Sequence, residues 1–217
     1  MKSNINYYTL MILILPFCIM CALGTWQIFR FKEKLNIIHS MKSLPIALPN
    51  DDVKKYAYKN VIARGSFEVG SYFNVFAGNA GYYFLQPFKL IDGRTILVNR
   101  GILTDYKNLV DKLDGKIINI NGIIYCDFDK KVRWFFKNDP ANNVWIWFDI
   151  NSMAKVSNIQ LEACIVWADN TWLLSGLKPN MTLQVRNDHL EYIITWYFLA
   201  IVWAIYCVSF VRKKKCV

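Results

Sequence analysis

Histidine is scarce in this chain of 217 residues, which contains two copies, His39 and His189. A Ser-His-Asp triad needs a histidine beside its nucleophile, and an H-E-x-x-H zinc site needs two closely spaced histidines. His39 and His189 lie far apart in the chain, and neither belongs to such a motif. We therefore expect a protein that is not an enzyme.

Paired carboxylates occur twice, as Asp51 with Asp52 and as Asp127 with Asp129. Each pair lies beside lysines in a segment typical of solvated turns, and this is the interpretation we favour. A membrane enzyme that uses Asp127 or Asp129 is a weaker alternative.

Acidic residues are missing from both ends of the chain. All 16 acidic residues lie between two apolar segments, 7–29 and 192–211. Five of the 26 basic residues instead lie before the first segment or after the second. These five are Lys2, Arg212, Lys213, Lys214 and Lys215. Because basic residues mark the cytoplasmic flanks of transmembrane segments, half of the formal net charge of +10 is a topology signal. A nucleic-acid partner is therefore not expected.

The two apolar segments contain no charged residue. At a rise of about 1.5 Å per residue, a helix of about 20 residues crosses the roughly 30 Å hydrocarbon core of a bilayer. A cleaved signal peptide is the alternative for the first segment, but its apolar run is long and ends without a small-x-small cleavage site. We expect transmembrane helices at 7–29 and 191–211.

Two spans place both termini on one side of the membrane. The basic cluster 212–215 predicts that this side is the cytoplasm, with 212–217 as a basic cytoplasmic tail and 30–190 as a domain outside. Arg30, Lys32 and Lys34, just beyond the first span, oppose this orientation.

Strand signals dominate the domain at 30–190. Seven short segments have strand patterns bounded by turns: 61–63, 72–76, 83–90, 95–99, 116–125, 144–148 and 163–168. Asp92-Gly93 predicts a hairpin turn. Helical signals are confined to 108–113 and to an extension of the first span to residue 41, before Pro45. We expect a membrane protein whose two transmembrane helices flank a mainly antiparallel β (α+β) extracytoplasmic domain.

Cysteine usage indicates no disulfide framework. Cys18 and Cys21 fall inside the first apolar segment, where they are typical of small apolar residues. Cys126 and Cys164 lie in the outer domain, where an oxidising compartment can join them. Their spacing alone does not place them close together, so we favour two free thiols and leave a disulfide open.

An aromatic stripe begins at a histidine and runs along the second apolar segment. At about 100° per residue, His189, Tyr192, Trp196, Ala200 and Trp203 fall on one narrow face of a helix. One interpretation is a belt at the membrane interface, in which His189 is an ordinary polar residue, and the stripe alone favours it. The other interpretation is a site for a flat, apolar ligand.

Three stretches resemble one known family. LGTWQIFRFKEK at 23–34 resembles the L-G-x-W-Q-x-x-R-x-x-x-K signature of the surfeit locus protein 1 family. GRTILVNRG at 93–101 is similar to its G-x-x-x-L-V-N-R-G segment, and NDHLEYIITW at 187–196 is similar to its N-x-H-L-x-Y-x-x-T-W motif. The order of the motifs and the two-span layout also agree. Ile102 is a departure, since the family usually has tryptophan after R-G.

This resemblance implies an assembly factor for cytochrome c oxidase, in a family whose bacterial members are linked to the handling of haem a for subunit I. Haem a is then a transiently bound cofactor. The implied partners are oxidase subunit I, haem a synthase or other assembly factors, and the lipid bilayer. The alternative is a non-haem membrane scaffold that holds subunit I or other assembly factors.

The resemblance assigns a role in haem binding to the histidine of the H-L-x-Y motif, which is His189 here, and carries the tryptophan of T-W over to Trp196. We expect His189 to be the axial iron ligand, because a neutral imidazole can ligate haem iron. Tyr192 and Trp196 offer flat apolar surface to the macrocycle. His39 can share the iron only if the first helix folds back.

Three residues of the first motif complete the candidate site. Arg30 can pair with a haem propionate, or it can be an interfacial arginine that extends to the lipid headgroups. Trp26 and Gln27 can contact the cofactor or serve helix packing. Gly24 is expected to permit close approach of the two helices.

Lys2 is the one basic residue before the first span, and an amphipathic run rich in arginine and serine is missing there. We therefore expect a bacterial inner membrane rather than a mitochondrial one. The protein is expected to be multi-pass, with its central domain in the periplasm.

Overall fold

The computed structural model describes residues 7–103, 115–128, 136–168, 177–180 and 183–215. The chain divides into two compact units: a helical unit within Met1–Ile38 and Val185–Val217, and a β unit within His39–Gln184. The predicted helix at 108–113 lies outside the described residues, as does Asp129.

The helices are α1 (Tyr7–Lys42), α2 (Ile150–Ser157) and α3 (His189–Lys215). The strands are β1 (Ile46–Ala47), β2 (Asn60–Phe67), β3 (Phe73–Phe76), β4 (Tyr82–Leu90), β5 (Thr95–Leu103), β6 (Ile118–Tyr125), β7 (Val144–Trp145), β8 (Ile165–Ala168) and β9 (Leu177–Lys178). Each of the seven predicted strand segments overlaps one of β2 to β8. The sequence patterns do not predict β1, β9 or α2.

Helices α1 and α3 are long and apolar enough to cross a membrane. The candidate spans are Tyr7–Met41 and His189–Lys213, and few of their residues are buried. α1 continues past the first apolar segment to Lys42, in agreement with the expected extension to residue 41. The prediction of apolar helices before and after a mostly β domain is confirmed.

Five strands of the β unit close into a barrel. β2 pairs with β6, β6 with β8, β8 with β5, β5 with β4, and β4 again with β2. The pairing of β5 with β8 is parallel, and the other four are antiparallel. β1, β3, β7 and β9 extend the sheet beyond the barrel. The domain is mainly antiparallel, as predicted, but the strand pattern does not predict that the sheet closes.

Closure depends on a close approach at Gly65. This residue pairs with Ile118 of β6 on one side and with Leu90 of β4 on the other. A Cβ atom at Gly65 would lie 2.1 Å from the backbone oxygen of Lys89. Glycine lacks this atom, and β2 and β4 can therefore approach more closely than any other residue would allow.

Alternate residues of the barrel strands face two separate cores. The barrel interior contains buried apolar residues from all five strands: Val61, Phe88, Ile96, Val98, Ile124 and Val166. On the outside, α2 contributes Ile150 and Met153 to a second cluster, which also contains Leu85, Leu97 and Ile165. Ile96 and Val98 of β5 belong to the first core, whereas Leu97 between them belongs to the second. Neighbouring residues of a strand point to opposite faces, which explains this division.

Cys126 and Cys164 form a disulfide, so the expectation of two free thiols is wrong. Cys126 follows Tyr125 at the end of β6, Cys164 precedes Ile165 at the start of β8, and Tyr125 pairs directly with Ile165. The register of the two strands therefore places the cysteines opposite each other, with their Cα atoms 4.5 Å apart. Sequence spacing misses this contact because strand pairing joins residues 38 positions apart.

Candidate functional site

The two long helices run antiparallel within the helical unit. His189 Nδ1 lies 2.6 Å from Gln27 Oε1. Further along, Trp203 Nε1 donates a hydrogen bond to the backbone oxygen of Leu13 at 2.8 Å. Residues 13 and 27 are 14 positions apart, as are residues 189 and 203. The helices therefore stay in contact over about 21 Å.

Between these two contacts the helices approach through Gly24. A Cβ atom at Gly24 would lie 3.0 Å from Cε2 of Tyr197. The hydroxyl oxygens of Thr25 and Tyr197 are 3.0 Å apart and share a hydrogen bond. The expectation that Gly24 permits close approach of the helices is confirmed, because a larger residue would push the Tyr197 ring away.

The aromatic stripe of α3 is divided between helix packing and exposed surface. Ala200 is 2% exposed, and Trp203 bonds to α1. Tyr192 is 54% exposed, whereas Trp196 is half-buried. Periodicity groups these residues on one face, but it does not reveal that α1 covers part of that face. Small residues such as Ala200 in an apolar helix are the sequence signal for such a contact.

Gln27 lies on the covered face of α1 and is 8% exposed. Its amide oxygen contacts His189, a residue 162 positions away in the sequence. These two predicted site residues are thus brought into direct contact. His189 is half-buried, whereas His39 is exposed.

Arg30 and Trp26 are accessible on α1. Arg30 Nη1 lies 2.5 Å from Glu33 Oε2, and their side chains are 40% and 55% exposed. Exposed ion pairs contribute about 0–1 kcal/mol, so Arg30 can exchange Glu33 for another carboxylate at little cost. Trp26 is 52% exposed.

Four predicted site residues form what we name the open flank of the helix pair: Trp26, Arg30, Tyr192 and Trp196. At about 100° per residue, all four are rotated in the same sense from the contact between Gln27 and His189, by about 20° to 100°. In an antiparallel pair, rotation in the same sense leads to the same side. Gly24 and Tyr197 are rotated in the opposite sense, and their contact lies on the other side.

The open flank carries aromatic rings and a guanidinium on the two helices that the contact of His189 with Gln27 joins. This set fits a planar apolar ligand that contains a metal ion and carries carboxylate groups. Among the described residues, no group of three or more His, Cys, Asp or Glu side chains could hold a bare metal ion. One imidazole is sufficient when the ligand supplies the in-plane nitrogens itself, as haem does, so the residues present fit haem.

The segment 93–101, which resembles the family in mid-chain, belongs to the barrel. Arg100 is 4% exposed, donates a hydrogen bond to Gln86 Oε1, and lies over the Phe67 ring. Asn180 Nδ2 donates to the backbone oxygen of Asn99 at 2.7 Å. These contacts give the segment a structural role at one end of the barrel.

Asp127, one of the two carboxylates of the weaker enzyme alternative, accepts a hydrogen bond from the Tyr58 hydroxyl at 3.2 Å. Burial, and then the charge and hydrogen bond of Asp127, raise the pKa of Tyr58 to about 12. Tyr58 therefore stays protonated at neutral pH, and the contact is a structural hydrogen bond.

The fold and the site define a class of protein. It has a β-barrel domain with an apolar helix before and after it in the chain, and the two helices pair through a histidine and a glutamine. The model of the SURF1 family matches residues 14–201. The chain belongs to this family, and all six predicted site residues lie inside the matched region.

Similar proteins occur in bacteria and in eukaryotes. A SURF1-like protein of Rickettsia prowazekii (strain Madrid E) is 32% identical over 207 residues, covering 88% of this chain and 84% of that protein. A SURF1-like protein of Monosiga brevicollis is 31% identical over 222 residues, covering 89% and 83%. Surfeit locus protein 1 of Xenopus tropicalis is 30% identical over 225 residues, covering 88% and 72%.

Proposed function

We propose that this protein is an assembly factor for cytochrome c oxidase, which binds haem a at the open flank and aids its insertion into subunit I. The main support is one contact, the hydrogen bond between Gln27 and His189, which fixes an imidazole on a helix pair that also exposes the aromatic rings of Trp26 and Tyr192. Membership of the SURF1 family adds to this support, since the sequence resemblance links that family to the oxidase. The role requires binding and release, and no catalysis.

Each residue of the site has a part in this proposal. His189 would hold the iron through one ring nitrogen, while its other ring nitrogen contacts Gln27. Tyr192 and Trp196 would offer apolar surface to the macrocycle. Arg30, whose present ion pair is exposed, would pair with a propionate. When bound, haem a supplies the iron centre destined for the oxidase, and a single protein ligand suits a carrier that must release its cargo.

The proposed location is a bacterial inner membrane, crossed by α1 and α3, with the β unit in the periplasm. The disulfide between Cys126 and Cys164 supports a periplasmic location for the β unit, because disulfides persist in the periplasm and are rare in the cytoplasm. Cys18, Cys21 and Cys207, in the helices, are free. The basic residues that follow the apolar part of α3 support a cytoplasmic tail.

The haem a content of the oxidase tests the function. A strain that lacks this protein should have low oxidase activity and little haem a in the enzyme, while respiration through other oxidases persists. His189→Ala should reproduce the loss. His39→Ala, which changes an exposed imidazole outside the helical unit, should not. Normal haem a occupancy in the deletion strain would contradict the proposal.

The purified protein offers a direct test of the site. Protein from cells that make haem a should show a Soret band, which His189→Ala removes and His39→Ala preserves. Trp196→Leu should weaken haem retention without loss of folding, because leucine suits an apolar helix. A full complement of haem in His189→Ala would show that His189 is not the ligand.

A non-haem scaffold is the second candidate function. Ala200 and Trp203 favour it, since this half of the aromatic stripe serves helix packing. On this view the helix pair is an anchor, and the β unit holds subunit I, haem a synthase or other assembly factors. Co-purification of subunit I with His189→Ala, together with normal haem a in the oxidase of that strain, would favour the scaffold.

A further inference from the structure

We propose that Gln27 is a positioning residue, which sets the tautomer and the orientation of His189 so that Nε2 is the nitrogen available to iron. This role rests on the proposed haem function. It differs from the two roles that the sequence suggests for Gln27. The side chain acts through His189, and it neither touches the cofactor nor merely fills the helix interface.

The tautomer follows from the contact. Nδ1 of His189 lies 2.6 Å from Oε1 of Gln27. An amide carbonyl oxygen only accepts hydrogen bonds, so Nδ1 must carry the proton. In a neutral imidazole this leaves the lone pair on Nε2, and that atom can then ligate iron. Without such a contact, neutral histidine in water favours the opposite tautomer, with the proton on Nε2.

Burial makes this constraint effective. Gln27 is 8% exposed, so few water molecules can compete for its oxygen. Arg30, one turn further along α1, is exposed and already bonded to Glu33. Among Gln27 and Arg30, both in the motif at 23–34, Gln27 is therefore the residue placed to act on the imidazole of His189.

The position of His189 adds to the argument. It is the first residue of α3, so no preceding helical turn restricts its side chain. The contact with Gln27 therefore orients the ring. Hydrogen bonds to metal-ligating histidines are worth about 10- to 100-fold in metal affinity, which sets the size of the expected effect.

The tautomer can be measured without haem. The chain has two histidines, so ¹⁵N NMR of the haem-free, full-length protein with labelled histidine resolves both rings. His39→Ala assigns the signals. At mildly alkaline pH, His189 should have a protonated Nδ1 and a bare Nε2. Gln27→Glu should preserve this state, because a carboxylate oxygen also accepts. Gln27→Leu should move the proton to Nε2, and an unchanged tautomer in this variant would overturn the role.

Haem binding provides a second readout. Gln27→Leu should bind haem a about 10- to 100-fold more weakly and shift the iron–histidine stretching band in resonance Raman spectra. Thr25→Val is the matched control, because it removes the hydrogen bond to Tyr197 across the same helix pair without changing His189. It should leave affinity and band unchanged. Equal weakening by Thr25→Val would overturn the role in favour of general helix packing.

Failure of this role and failure of the haem function give different results. If the wild-type protein purified from cells that make haem a shows no Soret band, the haem function fails, while NMR of the haem-free protein still tests whether Gln27 sets the tautomer of His189. If His189→Ala loses haem but Gln27→Leu keeps the wild-type affinity, band and tautomer, the positioning role fails and the haem function stands.

Discussion

The guanidinium of Arg100 stacks on the Phe67 ring inside one end of the barrel, with 4.0 Å between the guanidinium carbon and the ring centroid. Arg100 also donates to Gln86, whose amide nitrogen donates to the backbone oxygen of Glu68 at 2.9 Å. These contacts join β5, β2 and β4. Because arginine cannot lose its charge, a buried guanidinium must keep such partners.

Replacing Arg100 with alanine should lower the free energy of unfolding by about 2–4 kcal/mol, since the change removes a cation–π contact and a partner of buried Gln86. Urea unfolding of the full-length protein in detergent, followed by tryptophan fluorescence, measures the loss. Arg64→Ala, at an exposed position of β2, should change stability by no more than about 0.5 kcal/mol. Equal losses in the two variants would contradict a special role for Arg100.

The disulfide should stabilise the β unit by about 4 kcal/mol, the chain-entropy value for closing a loop of roughly 40 residues. The double variant Cys126→Ala with Cys164→Ala should lose about this much in urea unfolding. Dithiothreitol should destabilise the wild type and leave the double variant unchanged. A wild-type midpoint that does not respond to full reduction would rule out this contribution.

Stability should fall at alkaline pH as Tyr58 ionises. Its pKa is raised to about 12 in the folded protein by burial and by Asp127, so folding favours the neutral phenol. The contribution of neutral Tyr58 to the free energy of unfolding is complete below the ordinary tyrosine pKa of about 10. It is lost as the pH rises toward about 12. Tyr58→Phe should show a smaller fall over this range.

The chain has 12 tyrosines, so the difference in tyrosinate absorbance between the wild type and Tyr58→Phe measures the titration of Tyr58 in the folded protein. Some alkaline loss should persist in Tyr58→Phe, because burial also raises the pKa of Tyr83. Identical pH profiles for the wild type and Tyr58→Phe would show that ionisation of Tyr58 does not contribute to the loss of stability.

Introduced cysteines should label from opposite sides of the membrane. Val69→Cys, at an exposed position of the β unit, should react with a membrane-impermeant maleimide in spheroplasts. Lys213→Cys, at the basic end of α3, should react only after permeabilisation, because basic flanks remain in the cytoplasm. Free native cysteines are first replaced by alanine. Labelling of both positions in intact spheroplasts would exclude the proposed topology.

Local patterns in the sequence predict α1, α3 and the strands β2 to β8, but not β1, β9 or α2. Apolar runs of spanning length predict α1 and α3, and strand patterns bounded by turns predict the barrel strands. Asp92-Gly93 predicts the hairpin of β4 and β5, in which Lys89 pairs with Thr95. Each of these features depends on residues that are close in the chain. The motif at 187–196 likewise singled out His189 and Trp196 without knowledge of their neighbours.

Only the tertiary structure decided which of these elements meet. Closure of the barrel at Gly65, the disulfide between Cys126 and Cys164, and the contact of Gln27 with His189 all join distant parts of the chain. The last pair is separated by 162 residues. A period of two or 3.6 residues identifies the face that an element buries, but the same face can pack against many partners. Strand register and helix docking select one partner, because together they must bury the apolar faces and satisfy buried polar groups such as the Gln27 amide.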